Sequence, residues 1–189
     1  MSMTLLAPPR HLAPELVELV TATRSAVAAH AGWQQTARLV AEQLRRHLPT
    51  PAVLAEIQRA GGADSDQVGG RSRLLHAEPD GTFSILALVW RPHQVTRIHD
   101  HVTWCVFGVV QGVEHEELFT LSDRGDHLVP AGHNVNRVGE VGGFAPPGDI
   151  HRVRNAGEDT AVSIHIYGTD ITRIGSSVRR YYDLPVRPA

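Results

Sequence analysis

The chain has 189 residues, of which 42% are hydrophobic, so it can build one substantial core, and we expect one domain over residues 1–189. Its formal net charge of -2, with acidic and basic residues interspersed, argues against a nucleic-acid or membrane partner and favours a small soluble molecule. No segment approaches the length of a membrane helix. A single cysteine, Cys105, excludes an internal disulfide and favours a cytoplasmic location. Histidines, of which there are 12, and carboxylates are then the candidate metal ligands.

The first part of the chain has helical spacing. Apolar residues recur at intervals of three and four over residues 14–48, with Gly32 dividing the stretch and Pro49 following it. Arg45 and Arg46 fall near the end of the second half, where a helix C-terminus favours cations. We therefore expect two helices in a helical segment over residues 1–60, followed by a loop over residues 61–70.

Beyond that loop the pattern changes to short runs rich in valine, isoleucine, leucine and phenylalanine, separated by glycine, proline and aspartate. These runs predict strands at residues 83–90, 105–110, 114–121, 135–138 and 161–167. Regular short strands with turn residues between them are typical of an all-β barrel or sandwich. The predicted fold is mainly β, a small antiparallel barrel over residues 71–170 with the N-terminal helices packed outside it.

Two histidine motifs stand where predicted strands begin. His99 and His101 are two residues apart, so in a strand both side chains leave the same face and can bind one cation. For an isolated pair, surface histidines flanking Asp100 are the simpler interpretation. A second motif, Pro-Pro-Gly-Asp-Ile-His at residues 146–151, delivers His151 after a tight turn, from where it can supply a third ligand across the barrel.

These spacings resemble the two motifs of the cupin superfamily, G-x5-HxH-x3,4-E-x6-G and G-x5-PxG-x2-H-x3-N. His99, His101, His151 and Asn155 match, whereas Cys105 replaces the glutamate and both opening glycines are missing. Three neutral imidazoles leave a divalent ion its full charge and about half of an octahedral shell, which favours an anionic chelating substrate such as a thiolate. Zinc fits three histidines as well as iron does, so ligand count alone does not choose between them.

Within the cupins, the chain resembles the cysteine dioxygenase family over residues 71–167. The most specific stretch holds Ser163, His165 and Tyr167, which alternate and so share the strand face turned inward. The resemblance implies Fe(2+) on the three histidines, and a small thiol oxidised by dioxygen to a sulfinic acid. Tyr167 would hydrogen-bond oxygen or the substrate headgroup, with His165 and Ser163 positioning the phenol. Taken alone, His165 could equally be a satisfied core histidine.

The resemblance also implies a covalent link beside the iron. In eukaryotic members of the family a cysteine and a tyrosine join as a thioether, and Cys105 and Tyr167 occupy the corresponding positions. The loop between His101 and Cys105 is one residue shorter than in those enzymes, and many bacterial relatives carry glycine in place of the cysteine. Cys105 could therefore also be a small buried strand residue without a catalytic part.

An arginine that binds the substrate carboxylate is a further implication, because a guanidinium donates two parallel hydrogen bonds. An ungapped alignment with the family, counted back from His99, places Arg73 at the position of the carboxylate-binding arginine. A small gap in that alignment would place Arg71 there instead, and Arg173 is a further candidate from the C-terminal part of the chain. Each could equally be a solvated surface residue. L-cysteine is the leading substrate, with 3-mercaptopropionate or another thiol as the alternative. A more distant alternative is a cupin without redox chemistry that binds a ligand or sits on zinc or nickel.

Overall fold

The structure is a computed structural model that describes residues 13–50, 52–53, 63–65 and 70–188. Within these residues the helices are α1 (Pro14–Val27), α2 (Trp33–Arg46) and the short α3 (Ile171–Ile174). The strands are β1 (Ala63–Ser65), β2 (Gly70–Ala77), β3 (Ser84–Trp90), β4 (His99–His101), β5 (Cys105–Gln111), β6 (Val113–Leu121), β7 (Leu128–Arg137), β8 (Val141–Phe144), β9 (Ile150–Asn155), β10 (Ala161–Tyr167) and β11 (Val178–Tyr181).

The two N-terminal helices form as their apolar spacing predicts. Proline stands in the first turn of α1, and Gly32 is the residue before α2, which ends with Arg45 and Arg46 in its last turn. Each helix buries one stripe at intervals of three and four residues. The buried side chains are Leu16, Leu19, Val20, Thr23 and Ala26 in α1, and Thr36, Ala37, Val40, Ala41 and Leu44 in α2.

The strands form two antiparallel sheets. The first has the order β1-β2-β3-β10-β5-β8 and the second has the order β11-β4-β9-β6-β7. One face of the first sheet packs on the helices through a core that includes Ile85, Ala87, Val106 and Ile164. Its other face carries Leu86 and Leu88, which pack in a second cluster with Val153 on β9 of the second sheet. The layers are therefore helices, first sheet and second sheet, with the pocket between the two sheets.

This architecture confirms the predicted mainly β cupin fold with helices outside it. Within the described residues, the strand pairings make two facing sheets rather than one continuous closed barrel. The strand predicted at residues 135–138 is the end of the longer β7, and part of the loop predicted at 61–70 is wrong, because Ala63–Ser65 pairs with β2. The single domain stays a prediction, and the remainder of the helical segment over 1–60 lies partly outside the described residues.

None of the described helices is both long enough and apolar enough to cross a membrane.

Candidate active site

Two neighbouring strands of the second sheet bring three histidines together. His99 and His101 lie on β4, and His99 is paired directly with His151 on β9. The turn before β9 contains Gly148, whose φ of 101° lies in the region that only glycine adopts freely. The potential ligand atoms of the three side chains lie within 4.8 Å of one another, and all three residues are buried.

Each imidazole is oriented by a hydrogen bond at its Nδ1 atom. The acceptor is the backbone oxygen of Arg97 for His99, at 2.9 Å, and Oδ2 of Asp149 for His101, at 3.0 Å. For His151 it is Oε1 of Glu116, at 2.7 Å. A ring that donates from Nδ1 keeps Nε2 as a lone-pair acceptor, which is the form that binds a metal. All three rings are thus prepared to bind with the same atom.

Burial also favours the neutral form that metal binding needs. It lowers the pKa of His99 to about 2 and lowers the pKa of His101, in both cases assisted by the neighbouring histidines. Burial alone would raise the pKa of Glu116 and Asp149, but hydrogen bonds and charge interactions, chiefly with the histidines they orient, together outweigh it and lower the pKa of each carboxyl. Neutral imidazoles with ionised carboxylates behind them fit a divalent cation.

The first sheet supplies the opposite wall of the same pocket. Ser163, His165 and Tyr167 alternate along β10 and are linked in order: Ser163 Oγ lies 3.0 Å from His165 Nε2, and His165 Nδ1 lies 3.4 Å from the Tyr167 hydroxyl. The indole of Trp90 donates to Ser163 Oγ at 3.0 Å. Burial lowers the pKa of His165 to about 3 and holds the pKa of Tyr167 well above its usual value. The phenol is therefore protonated and the imidazole neutral.

Cys105 and Tyr167 are brought side by side. They are direct cross-strand partners on β5 and β10, and their side chains interact closely enough for each to affect the pKa of the other. Burial raises the pKa of the Cys105 thiol well above its usual value. Cys105 Sγ also lies 3.7 Å from His165 Nδ1. The shorter loop before Cys105 has not separated its sulfur from the tyrosine strand.

The candidate arginines have different positions. Arg73 is paired with Ala87, which faces the helices, whereas the pocket face of β3 carries Leu88, the partner of Ser72. Cross-strand partners share a face, so Arg73 lies on the side of the sheet away from the pocket. The guanidinium of Arg173 bonds Asp170 and the backbone oxygen of Pro79. The side chain of Arg71 lies outside the described part of the chain. Neither Arg73 nor Arg173 reaches the pocket.

Sequence reasoning missed the acidic and amide groups of the site. Glu116 and Asp149 orient histidines, while Glu114 and Asn136 line the pocket directly. Glu114 and Glu116 are both buried and alternate on β6, which is the pattern of an inward-facing strand stripe. That alternation was the available signal, because charged residues seldom face a barrel interior without a functional reason.

Comparisons with known proteins find one matching family model and several similar curated proteins. A sequence model of the family described as "Cysteine dioxygenase type I" matches residues 59–180. Cysteine dioxygenase type 1 from Danio rerio is 31% identical over 100 residues, which cover 51% of this chain and 50% of that protein. The human protein of the same name is 29% identical over 99 residues, with the same coverage of both chains. The chain thus spans about half the length of the curated relatives it matches.

Among solved structures, a Cupin 2 conserved barrel domain protein from Salinispora arenicola matches with a TM-score of 0.44 and 19% identity, covering 58% of this chain and 82% of that one.

Proposed function

Because this chain belongs to the cysteine dioxygenase type I family, we propose that it is an iron-dependent thiol dioxygenase that converts a small thiol into its sulfinic acid. The observation that carries the proposal is the pocket between the sheets, where three oriented histidines face His165 and Tyr167, with Ser163 bonded to His165 behind them. The family resemblance makes L-cysteine the leading substrate and 3-mercaptopropionate the alternative. The reaction would take place in the cytoplasm, which the single cysteine of the sequence favours.

The three histidines would hold Fe(2+) through their Nε2 atoms. When bound there, the ion would supply the redox chemistry that activates dioxygen and would deprotonate a thiol that contacts it. Glu116, Asp149 and the carbonyl of Arg97 keep the rings in place and maintain the tautomer that the ion needs.

The tyrosine wall would position the substrate. The protonated hydroxyl of Tyr167 can donate to a polar group of the thiol substrate or of oxygen, and His165 fixes the phenol from behind. Ser163, itself held by the Trp90 indole, fixes His165 in turn. Trp90, Ser163 and Tyr167 are buried and His165 is half-buried, so this chain of bonds would hold the phenol in one orientation with little competition from water.

Apolar side chains close the remainder of the pocket. The pocket is lined by Leu88, Phe107, Phe144 and Val153. The centroid of the Phe144 ring lies 4.6 Å from that of His101 and 5.0 Å from that of His151. Such a lining limits the water around the metal and accommodates the hydrocarbon part of a small thiol.

The proposal is tested by purifying the protein without oxygen, measuring its metal content, and loading it with Fe(2+). Addition of oxygen and a thiol should consume one dioxygen for each sulfinic acid formed, as measured with an oxygen electrode and mass spectrometry. Tyr167→Phe serves as a matched variant that keeps the ring and removes the hydroxyl. The proposal would be contradicted if the purified protein held zinc at the histidines and the iron-loaded protein oxidised no thiol.

A further inference from the structure

Two side chains of the pocket each have one buried polar atom without a hydrogen-bond partner in the described structure. Glu114 on β6 and Asn136 on β7 are cross-strand neighbours, and both line the pocket that contains the three histidines. Glu114 is 1% exposed. Within the described structure, Oε1 of Glu114 and Nδ2 of Asn136 are buried without a hydrogen-bond partner. Because an unsatisfied buried polar group is costly, this pair marks a place where a ligand makes the missing bonds.

The charge of the pocket determines which ligand group fits there. Its described lining includes the carboxyls of Glu114 and Glu116 but no arginine, and the chain has no lysine. A substrate carboxylate beside Glu114 would meet a like charge whenever that carboxyl is ionised, and no cationic side chain of the described lining would offset it. A substrate ammonium would instead meet an acceptor that is free to bind it.

The state of Glu114 is suited to a cation. Burial raises its pKa to about 7, with a smaller contribution from the charge of Glu116, while the polar groups of Ser163 and Trp90 act in the opposite direction. A carboxyl with such a pKa ionises readily when a positive group arrives next to it. The amide of Asn136 can rotate by half a turn, which exchanges its nitrogen and oxygen, so it can accept a second bond from the same ammonium.

We propose that Glu114 binds the substrate headgroup and selects thiols that carry an ammonium group over thiols that carry only a carboxylate. This inference rests on the proposed thiol dioxygenase function. A primary aminothiol such as cysteamine fits best, and L-cysteine qualifies through its amino group. The alternative substrate 3-mercaptopropionate lacks the group that Glu114 binds and should be the poorest of the three.

The test compares three thiols that differ mainly in their headgroup: cysteamine, 2-mercaptoethanol and 3-mercaptopropionate. Each is titrated without oxygen into protein loaded with Co(2+), and the thiolate-to-cobalt absorption gives a dissociation constant without any turnover. Wild-type protein should bind cysteamine tightest. Glu114→Gln should weaken the binding of cysteamine about tenfold to a hundredfold, which is the usual effect of losing a hydrogen bond to a charged group. The same variant should change the binding of 2-mercaptoethanol much less.

Two further variants complete the comparison. Glu114→Leu removes all polar character and should weaken the binding of cysteamine at least as much as Glu114→Gln does. Glu117→Gln serves as the control, because Glu117 is a neighbouring carboxyl that bonds Arg152 outside the pocket. With iron and oxygen, Glu114→Gln should raise the KM for cysteamine with little change in kcat. Circular dichroism confirms that each variant is folded.

Three results would overturn the assignment of Glu114. They are equal weakening of all three thiols, unchanged cysteamine binding in both Glu114 variants, and tightest binding of 3-mercaptopropionate that is lost in Arg71→Ala or Arg73→Ala. In each case thiolate binding to the metal would still support the proposed dioxygenase. Absence of thiolate absorption with every probe, together with absence of sulfinic acid in the iron-loaded enzyme, would instead reject the proposed function and this inference together.

Discussion

Replacing Glu116 by glutamine should loosen the metal site while leaving the fold intact. The carboxylate accepts from His151 Nδ1 at 2.7 Å and from Asn134 Nδ2 at 2.9 Å, whereas an amide offers one acceptor and no charge. A hydrogen bond to a charged group contributes about 1.5 to 3 kcal/mol, and a neutral one about 0.5 to 1.5 kcal/mol. The midpoints of these ranges differ by about 1.3 kcal/mol, which predicts roughly tenfold weaker metal binding, near the lower end of the range for such outer partners.

The assay is anaerobic competition for Fe(2+) between the protein and a chromophoric chelator, which yields the dissociation constant of the metal. Glu117→Gln is the matched control, because Glu117 is the next residue on the same strand and bonds Arg152 at 2.6 Å away from the histidines. We expect the control to bind iron within about twofold of wild type, as is usual for a half-exposed ion pair. An unchanged dissociation constant in Glu116→Gln, or an equal loss in both variants, would refute the reasoning.

Three other outcomes are expected. Alanine at any one of the three histidines should abolish iron retention and turnover with an unchanged circular dichroism spectrum, and stoichiometric iron in such a variant would disprove the ligand assignment. Repeated turnover in air should join Cys105 to Tyr167 as a thioether, with dioxygen accepting the two hydrogens lost, so that intact mass falls by two hydrogens. A thiol that still reacts fully after many turnovers would exclude that link. Finally, burial raises the pKa of Glu114 from 4.5 to about 7, so the folded metal-free protein holds a proton that the unfolded chain releases. Its stability should therefore fall by up to about 3 kcal/mol between pH 4.5 and 7, and urea unfolding of Glu114→Gln should lack that decline.

Features that depend on local spacing could be predicted from the sequence. The stripes of α1 and α2 follow from intervals of three and four residues, and the shared face of Ser163, His165 and Tyr167 follows from strand alternation. The three histidines could also be predicted, because the turn before β9 and the two-residue spacing on β4 are both local features of the sequence.

Features that depend on how distant strands pair could not be predicted. The position of Arg73 shows why: an ungapped alignment counts residues, but the side of the sheet depends on register, and a one-residue shift reverses it. Here the pairing of β2 with β3 shifts between Leu74 and His76. Glu116 and Asp149 lie far from their histidines along the chain, so only the folded pairing reveals that they orient the rings.

The division of the site between two sheets separates two properties of the protein. The histidines proposed to hold the metal, and the groups that orient them, belong to the second sheet or to the segments leading into its strands, whereas Cys105, Ser163, His165 and Tyr167 belong to the first. On the proposed function, metal affinity would be a property of one layer, and reactivity would depend on the spacing between two. Moderate heating or a substitution in the helices that support the first sheet should reduce turnover before it releases the metal. Natural variation can by the same logic alter reaction rate and substrate choice while the metal-binding layer stays the same.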